Sequence, residues 1–110
     1  MAETLLYQGV AVNPANGLRF RLGFSSVTLT GPITLTNQDA QLQQLDPDAG
    51  GGRVVTLPAE ESSQGTFFII QNTGNTGDLT VNDDNGDGVD SVESDDSRWF
   101  VCDGLSWATM

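Results

Sequence analysis

No apolar run in this chain exceeds the four residues of Phe67-Phe68-Ile69-Ile70, and Gly, Asn and Asp interrupt the apolar stretches throughout. A stable helix needs apolar residues at three- and four-residue spacing over about ten positions or more. Only Asn37 to Leu45, "NQDAQLQQL", offers a beginning. Leu42 and Leu45 are three apart there, and Asn37 or Asp39 is a candidate cap. Asp46-Pro47 limits that segment to one or two turns. The remainder reads as strands. The expected class is all-β, a small antiparallel barrel or sandwich with an extended N-terminal arm. Its 110 residues suit one core.

The strands are placed by periodicity and turn chemistry. Leu18, Phe20 and Leu22 alternate with Arg19 and Arg21, giving one apolar and one basic face. "SSVTLTGPITLT" holds two β-branched runs around Gly31-Pro32, and "RVVTLP" ends at Pro58. "TFFIIQN", Thr66 to Asn72, is apolar on both faces and is expected to be central. "LTV" is a short strand after the turn "NTGNTGD". "RWFVCDGLSWATM" reads as a hairpin on the dipeptide Asp103-Gly104. It puts Phe100 and Cys102 on one face and Trp99 and Val101 on the other. Cys102 is expected to be a small core residue, and both Trp99 and Trp107 are expected in the core, the alternative for the tryptophans being a paired exposed platform for glycan stacking. One cysteine makes no intrachain disulfide.

Residues 1–17 stand apart. "TLLYQGVAV" is apolar but short, and "NPANG" separates it from the first alternating strand. The expected division is an N-terminal arm over 1–17 and a single β domain over 18–110. Leu5, Leu6, Tyr7 and Val10 are candidate contacts with another chain, the alternative being an ordinary first strand. Arg19 and Arg21 are candidate partners for acidic groups on a neighbour, the alternative being a solvated face.

The formal net charge is −11, with fifteen acids, four arginines, no lysine and no histidine. Phosphate backbones and anionic lipid surfaces both require basic residues, so neither nucleic acid nor membrane is an expected partner. A basic protein surface or a cation-rich medium suits such a chain, as does plain solubility. The start, "MAETLL", lacks the basic and apolar regions of a signal peptide. The cytosol is a permissible place of synthesis.

The acids concentrate in "NDDNGDGVDSVESDD", Asn82 to Asp96. Asp83, Asn85, Asp87, Gly88 and Val89 match the opening of a helix–loop–helix calcium loop. The closing half does not match. Position 12 is Ser94, Glu93 falls one residue early, and the flank "DLTVN" is β-like. Asp, Asn and Gly are also the ordinary residues of tight turns. Like charges at roughly 6 Å in water repel by only about 0.7 kcal/mol. The loop therefore reads as a solvated turn, with calcium at Asp83, Asn85 and Asp87 as the alternative. No metal and no cofactor are expected.

Catalytic constellations are missing. Without histidine there is no Ser-His or Cys-His pair, and without lysine no P-loop or Schiff base. Glu60-Glu61 lies in the loop-like "PAEESSQG", a poor place for paired acid–base work. The chain is not expected to be an enzyme.

From about Ile33 onward the chain resembles a module of tailed-bacteriophage virion proteins. The residues that carry the likeness are "VVTLPA", then "GTFFIIQNTGNTGDLTV", then "RWFVCDGLSW". It covers roughly two thirds of the chain and is most similar to small capsid decoration, or cement, proteins. The resemblance implies a non-catalytic homotrimer bound to the major capsid protein on the outside of the phage head, made in the host cytoplasm. The alternative it implies is a fibre or tail appendage module that binds a receptor or glycan, with or without calcium.

Overall fold

The computed structural model describes residues 22–110 in full, and the backbone alone of three strands before them. Those are β1 (Leu5–Tyr7), β2 (Val10–Asn13) and β3 (Gly17–Phe20). They form an antiparallel meander in the order β1-β2-β3, with Leu5 opposite Val12 and Ala11 opposite Arg19. The side chains of Leu5, Leu6, Tyr7, Val10 and Arg19, and all of Arg21, lie outside the described residues.

The rest is all-β and builds two packed sheets. In chain order the strands are β4 (Phe24–Thr28), β5 (Ile33–Thr34), β6 (Leu42–Asp46), β7 (Arg53–Thr56), β8 (Phe67–Asn72), β9 (Leu79–Asn82), β10 (Gly88–Val92), β11 (Ser97–Cys102) and β12 (Trp107–Thr109). One sheet has the order β12-β11-β8-β6-β4 and the other β10-β9-β7-β5. From β4 to β9 the chain alternates between the sheets. Each strand therefore lies beside the one two places earlier, and the pairs β4–β6, β6–β8, β5–β7 and β7–β9 are parallel. Three coils of a flattened solenoid result. Antiparallel pairing, expected throughout, is confined within these two sheets to β9–β10, β8–β11 and β11–β12. The physical reason is the connections. Gly31-Pro32 and the loop around Gly50 carry the chain across to the opposite sheet instead of turning it back beside itself.

Inward positions repeat from coil to coil. Ile33, Val55 and Val81 share one register, and Leu35 and Leu57 follow in the next, joined by Leu35 N–H to Thr56 O (2.8 Å). On the other sheet Leu45, Phe68, Ile70, Phe100, Cys102 and Trp107 close the core. Each large side chain buried this fully contributes about 1.5–3 kcal/mol. β8 is the middle strand of its sheet, as its two apolar faces predict. Phe68, Ile70 and Asn72 point in, and Phe67, Ile69 and Gln71 point out.

Asn72 is a polar residue with no exposure at all, and it organises a corner. Its amide donates to Gly77 O and Val92 O, each at 3.0 Å, and its Oδ1 accepts from Gly74 N–H at 2.9 Å. Nearby, Gly52 and Gly77 have φ of 81° and 84°, and a β-carbon at either would collide with backbone of the facing loop. One residue along β10 from Val92, Arg98 Nε donates to Ser91 O (3.1 Å) and stands 3.6 Å from Asp90, tying β11 to β10. That half-exposed pair is worth little energetically.

Three expectations are corrected here. Leu42 to Asp46 is a strand, because Leu42 and Leu45 serve opposite sheet faces instead of one helix face; the helical turn present is a 3-10 turn at Glu60–Ser62. Asp103-Gly104 opens a four-residue loop, since Cys102 pairs with Trp107 and Asp103 Oδ1 accepts from both Leu105 and Ser106 N–H. The acidic stretch holds a strand of its own, β10.

Replacing Asn72 by leucine removes all three of its side-chain hydrogen bonds and takes the side-chain acceptor from buried Gly74 N–H, while Gly77 O keeps Ser94 Oγ at 3.3 Å. Asn72→Leu is expected to lower the unfolding free energy by about 3 kcal/mol in urea or thermal denaturation. A loss under about 1 kcal/mol would contradict the role given to this amide.

Candidate functional site

The two sheets differ in what they present outward. Thr34, Thr56, Thr80 and Asn82 line the outer face of the smaller sheet, with Val54 among them. The outer face of the larger sheet carries two apolar rows. Phe24, Leu42, Ile69 and Trp99 stand opposite one another across four neighbouring strands. Phe67, Val101 and Ala108 form the next row. The Phe67 and Trp99 rings stack with centroids 5.5 Å apart. Phe24 is 59% exposed, Trp99 44% and Met110 75%. Large aromatic and thioether side chains left in water at one place make this face the candidate interaction surface.

Strand alternation produces this face. The same period of two that buries Phe68, Ile70 and Phe100 turns Phe67, Ile69 and Trp99 outward. Trp107 is buried as expected, its indole N–H donating to Pro58 O at 2.9 Å. Trp99 corrects the expectation for it. Its neighbour Phe100 takes the core position, so Trp99 must face out. One row along the strands the face turns polar, where Gln44 Nε2 donates to Gln71 Oε1 at 2.8 Å. No charged residue stands in the apolar rows, although the chain carries −11.

At the end of the sheet where β4, β6 and β8 begin, an open groove of ≈ 730 Å³ adjoins this face. Loop residues 37–41 and 64–66 wall it, and Phe24 and Phe67 line the side next to the face.

The acidic loop has a definite geometry. Asp83 Oδ1 accepts from Asn85 N–H (3.0 Å) and Asp87 N–H (2.9 Å), and Asp83 N–H donates to Asp87 O (2.8 Å). The carboxylate stands in for backbone acceptors inside the turn. Among the described residues no three acidic or cysteine side chains converge as metal ligands. Across the loop, Glu60 and Asp84 face each other. Shared hydrogen bonding with Asp84 raises the Glu60 pKa above its ordinary 4.5, with slight burial and the charges of Asp84 and Asp83 adding to it. Cys102 is 1% exposed, and its thiol pKa is raised chiefly by burial. Gly104 N–H donates to its sulfur at 3.4 Å. A buried thiol with a raised pKa is a packing residue and no nucleophile.

Compared with protein-family models, curated proteins and solved structures, the chain matches none.

Two outcomes follow from the loop. Asp83→Asn keeps the turn acceptor and is expected to melt close to wild type, whereas Asp83→Ala loses two hydrogen bonds and about 1–2 kcal/mol. Equal losses in both variants would assign Asp83 a charge-dependent role such as cation binding. Glu60 binds its proton more tightly folded than unfolded, so its effect stabilises below the unfolded value and is lost as pH rises through the folded one. Glu60→Gln is therefore expected to melt above wild type at pH 7, and the gap is expected to close below about pH 4.5. A gap independent of pH would contradict the Glu60–Asp84 contact.

Proposed function

We propose that this chain is a structural virion protein of a tailed bacteriophage. In this reading it is a capsid decoration protein, a homotrimer bound to the major capsid protein on the outer surface of the head. Its work is adhesive and involves no catalysis. Each subunit adds contact area, and three linked subunits bind with more avidity than one.

One observation carries the reading: the apolar, charge-free outer face around Phe24, Ile69 and Trp99. Subunits with so many acids repel one another wherever carboxylates meet. This face is a place where two copies approach without that repulsion and gain about 1.5–3 kcal/mol for each large side chain covered. The proposed self-contact is therefore here. The likeness of "VVTLPA", "GTFFIIQNTGNTGDLTV" and "RWFVCDGLSW" to decoration proteins supports the setting.

Sedimentation equilibrium in EDTA and again in millimolar calcium tests it. The expected result is a trimer in both buffers and a monomer for Trp99→Asp, which places a charge in the face. A wild-type monomer at every concentration, or a Trp99→Asp variant that stays trimeric, would overturn the reading.

A further inference from the structure

We propose that the Asn85-Gly86 bond in the acidic loop is a self-modification site, where Asn85 loses its side-chain amide through a cyclic imide and becomes aspartate or isoaspartate. This stands apart from the assembly reading, because the reaction needs only the chain and water.

The chemistry sets the requirements. Hydroxide takes the proton of the Gly86 backbone nitrogen, which then attacks Asn85 Cγ. The Cγ–Nδ2 bond breaks, and Nδ2 takes a proton from water and leaves as ammonia. A five-membered imide remains. Water opens it at Cγ to give aspartate, or at the main-chain carbonyl carbon of Asn85 to give isoaspartate, whose chain runs through Cγ. The attack is favoured where the second residue has no side chain, where the carbon under attack carries an amide instead of an ionised carboxylate, and where both partners are free to approach.

The structure separates Asn85 from the other described bonds of this kind, Asp87-Gly88 and Asp103-Gly104. Gly88 is held in β10 opposite Asn82. Asp103 Oδ1 accepts from Leu105 N–H (2.8 Å) and Ser106 N–H (2.9 Å), and these bonds hold its carboxyl below the usual carboxylate range. Gly104 N–H donates to Cys102 Sγ at 3.4 Å. Asn85, in contrast, is exposed, and its side-chain amide bonds no other described residue. A β-carbon placed on Gly86 would meet nothing within 4 Å, so the imide ring has room.

The turn is the brake on this reaction. Gly86 N–H donates to Asp83 O at 3.1 Å, and Asn85 N–H donates to Asp83 Oδ1 at 3.0 Å. The Gly86 nitrogen must leave its bond before it can attack, so the rate follows local opening of the turn. The products release the brake. Either one adds a carboxylate beside Asp83, Asp84 and Asp87. Isoaspartate also adds a methylene to the main chain, and the bonds that Asp83 makes to Asn85, Gly86 and Asp87 do not all fit the longer backbone. The acidic loop is thus a one-way device that loosens as the protein ages.

The test is incubation of the full chain at physiological temperature in mildly alkaline buffer, with peptide mapping by mass spectrometry and enzymatic methylation to count isoaspartate. A parallel sample in urea, where Asn85-Gly86 and Asn16-Gly17 react as open chain, gives the rate without the brake. The expected result is conversion of Asn85 in the folded protein, slower than in urea, with no isoaspartate at Asp87 or Asp103 over the same interval. Asp83→Ala is expected to convert about tenfold faster than wild type, the effect of losing the side-chain bonds that close the turn. Asp83→Asn, which keeps the acceptor, is expected to convert like wild type, and Asn85→Gln, which needs a six-membered ring, to stay unchanged. A folded chain that keeps Asn85 intact while the urea sample converts, isomerisation at Asp87 or Asp103 as fast as at Asn85, or an Asp83→Ala rate equal to wild type would overturn the proposal.

Discussion

The parallel stacking of β4 on β6 on β8, and of β5 on β7 on β9, is the constraint from which the rest follows. One coil cannot bury its own inward side chains. Ile33 needs Val55 beside it, Val55 needs Val81, and Leu45 needs Asn72 and Gln43 held in register. Stability in such an arrangement is mostly a sum over neighbouring coils. The last coil is closed by β10, β11 and β12, which turn the chain back antiparallel and cover both sheets at that end. At the other end β4 and β5 are outer strands. Val27, which points inward, is 42% exposed there.

The same stacking writes the outer surface. Register that aligns Leu45 with Asn72 inside also aligns Phe24, Leu42, Ile69 and Trp99 outside. A solvated face offers no reason to place four large apolar side chains in one row. The threonine-lined face of the smaller sheet shows the composition that a solvated face takes. Most acidic residues sit instead in turns, above all between Asp83 and Asp96, with Asp46 and Asp90 as strand exceptions outside the two apolar rows.

Much of this was legible in the sequence, residue by residue. The two apolar faces of Phe67 to Asn72 announced a central strand, and Cys102, small and on one face with Phe100, announced a core position. Asp83, Asn85 and Asp87 announced a turn. What was not legible was non-local. Phe24, Leu42 and Ile69 share a register but are unequally spaced along the chain, so no period betrays the coils. Val27-Thr28-Leu29, Ile33-Thr34-Leu35 and Val55-Thr56-Leu57 echo one another, but only the last two lie in adjacent coils of the same sheet. Leu42 and Leu45 fit a helix as well as a strand by spacing alone, and tertiary pairing decided between them. Trp99 was misplaced because a tryptophan in an alternating strand carries no mark of which face is covered. The groove was invisible because its walls, residues 37–41 and 64–66, meet only when β4, β6 and β8 align.

The central claim is that copies of this protein cover the face around Trp99. The most direct measurement is fluorine NMR of the chain labelled with 5-fluorotryptophan, reading the solvent isotope shift of each indole over a dilution series. Trp107, buried in the core, is the internal reference, and Trp99→Phe assigns the second signal. The account predicts that Trp99 is shielded from solvent at high concentration and becomes exposed on dilution, while Trp107 stays unchanged. A Trp99 signal equally open to solvent at every concentration would contradict it.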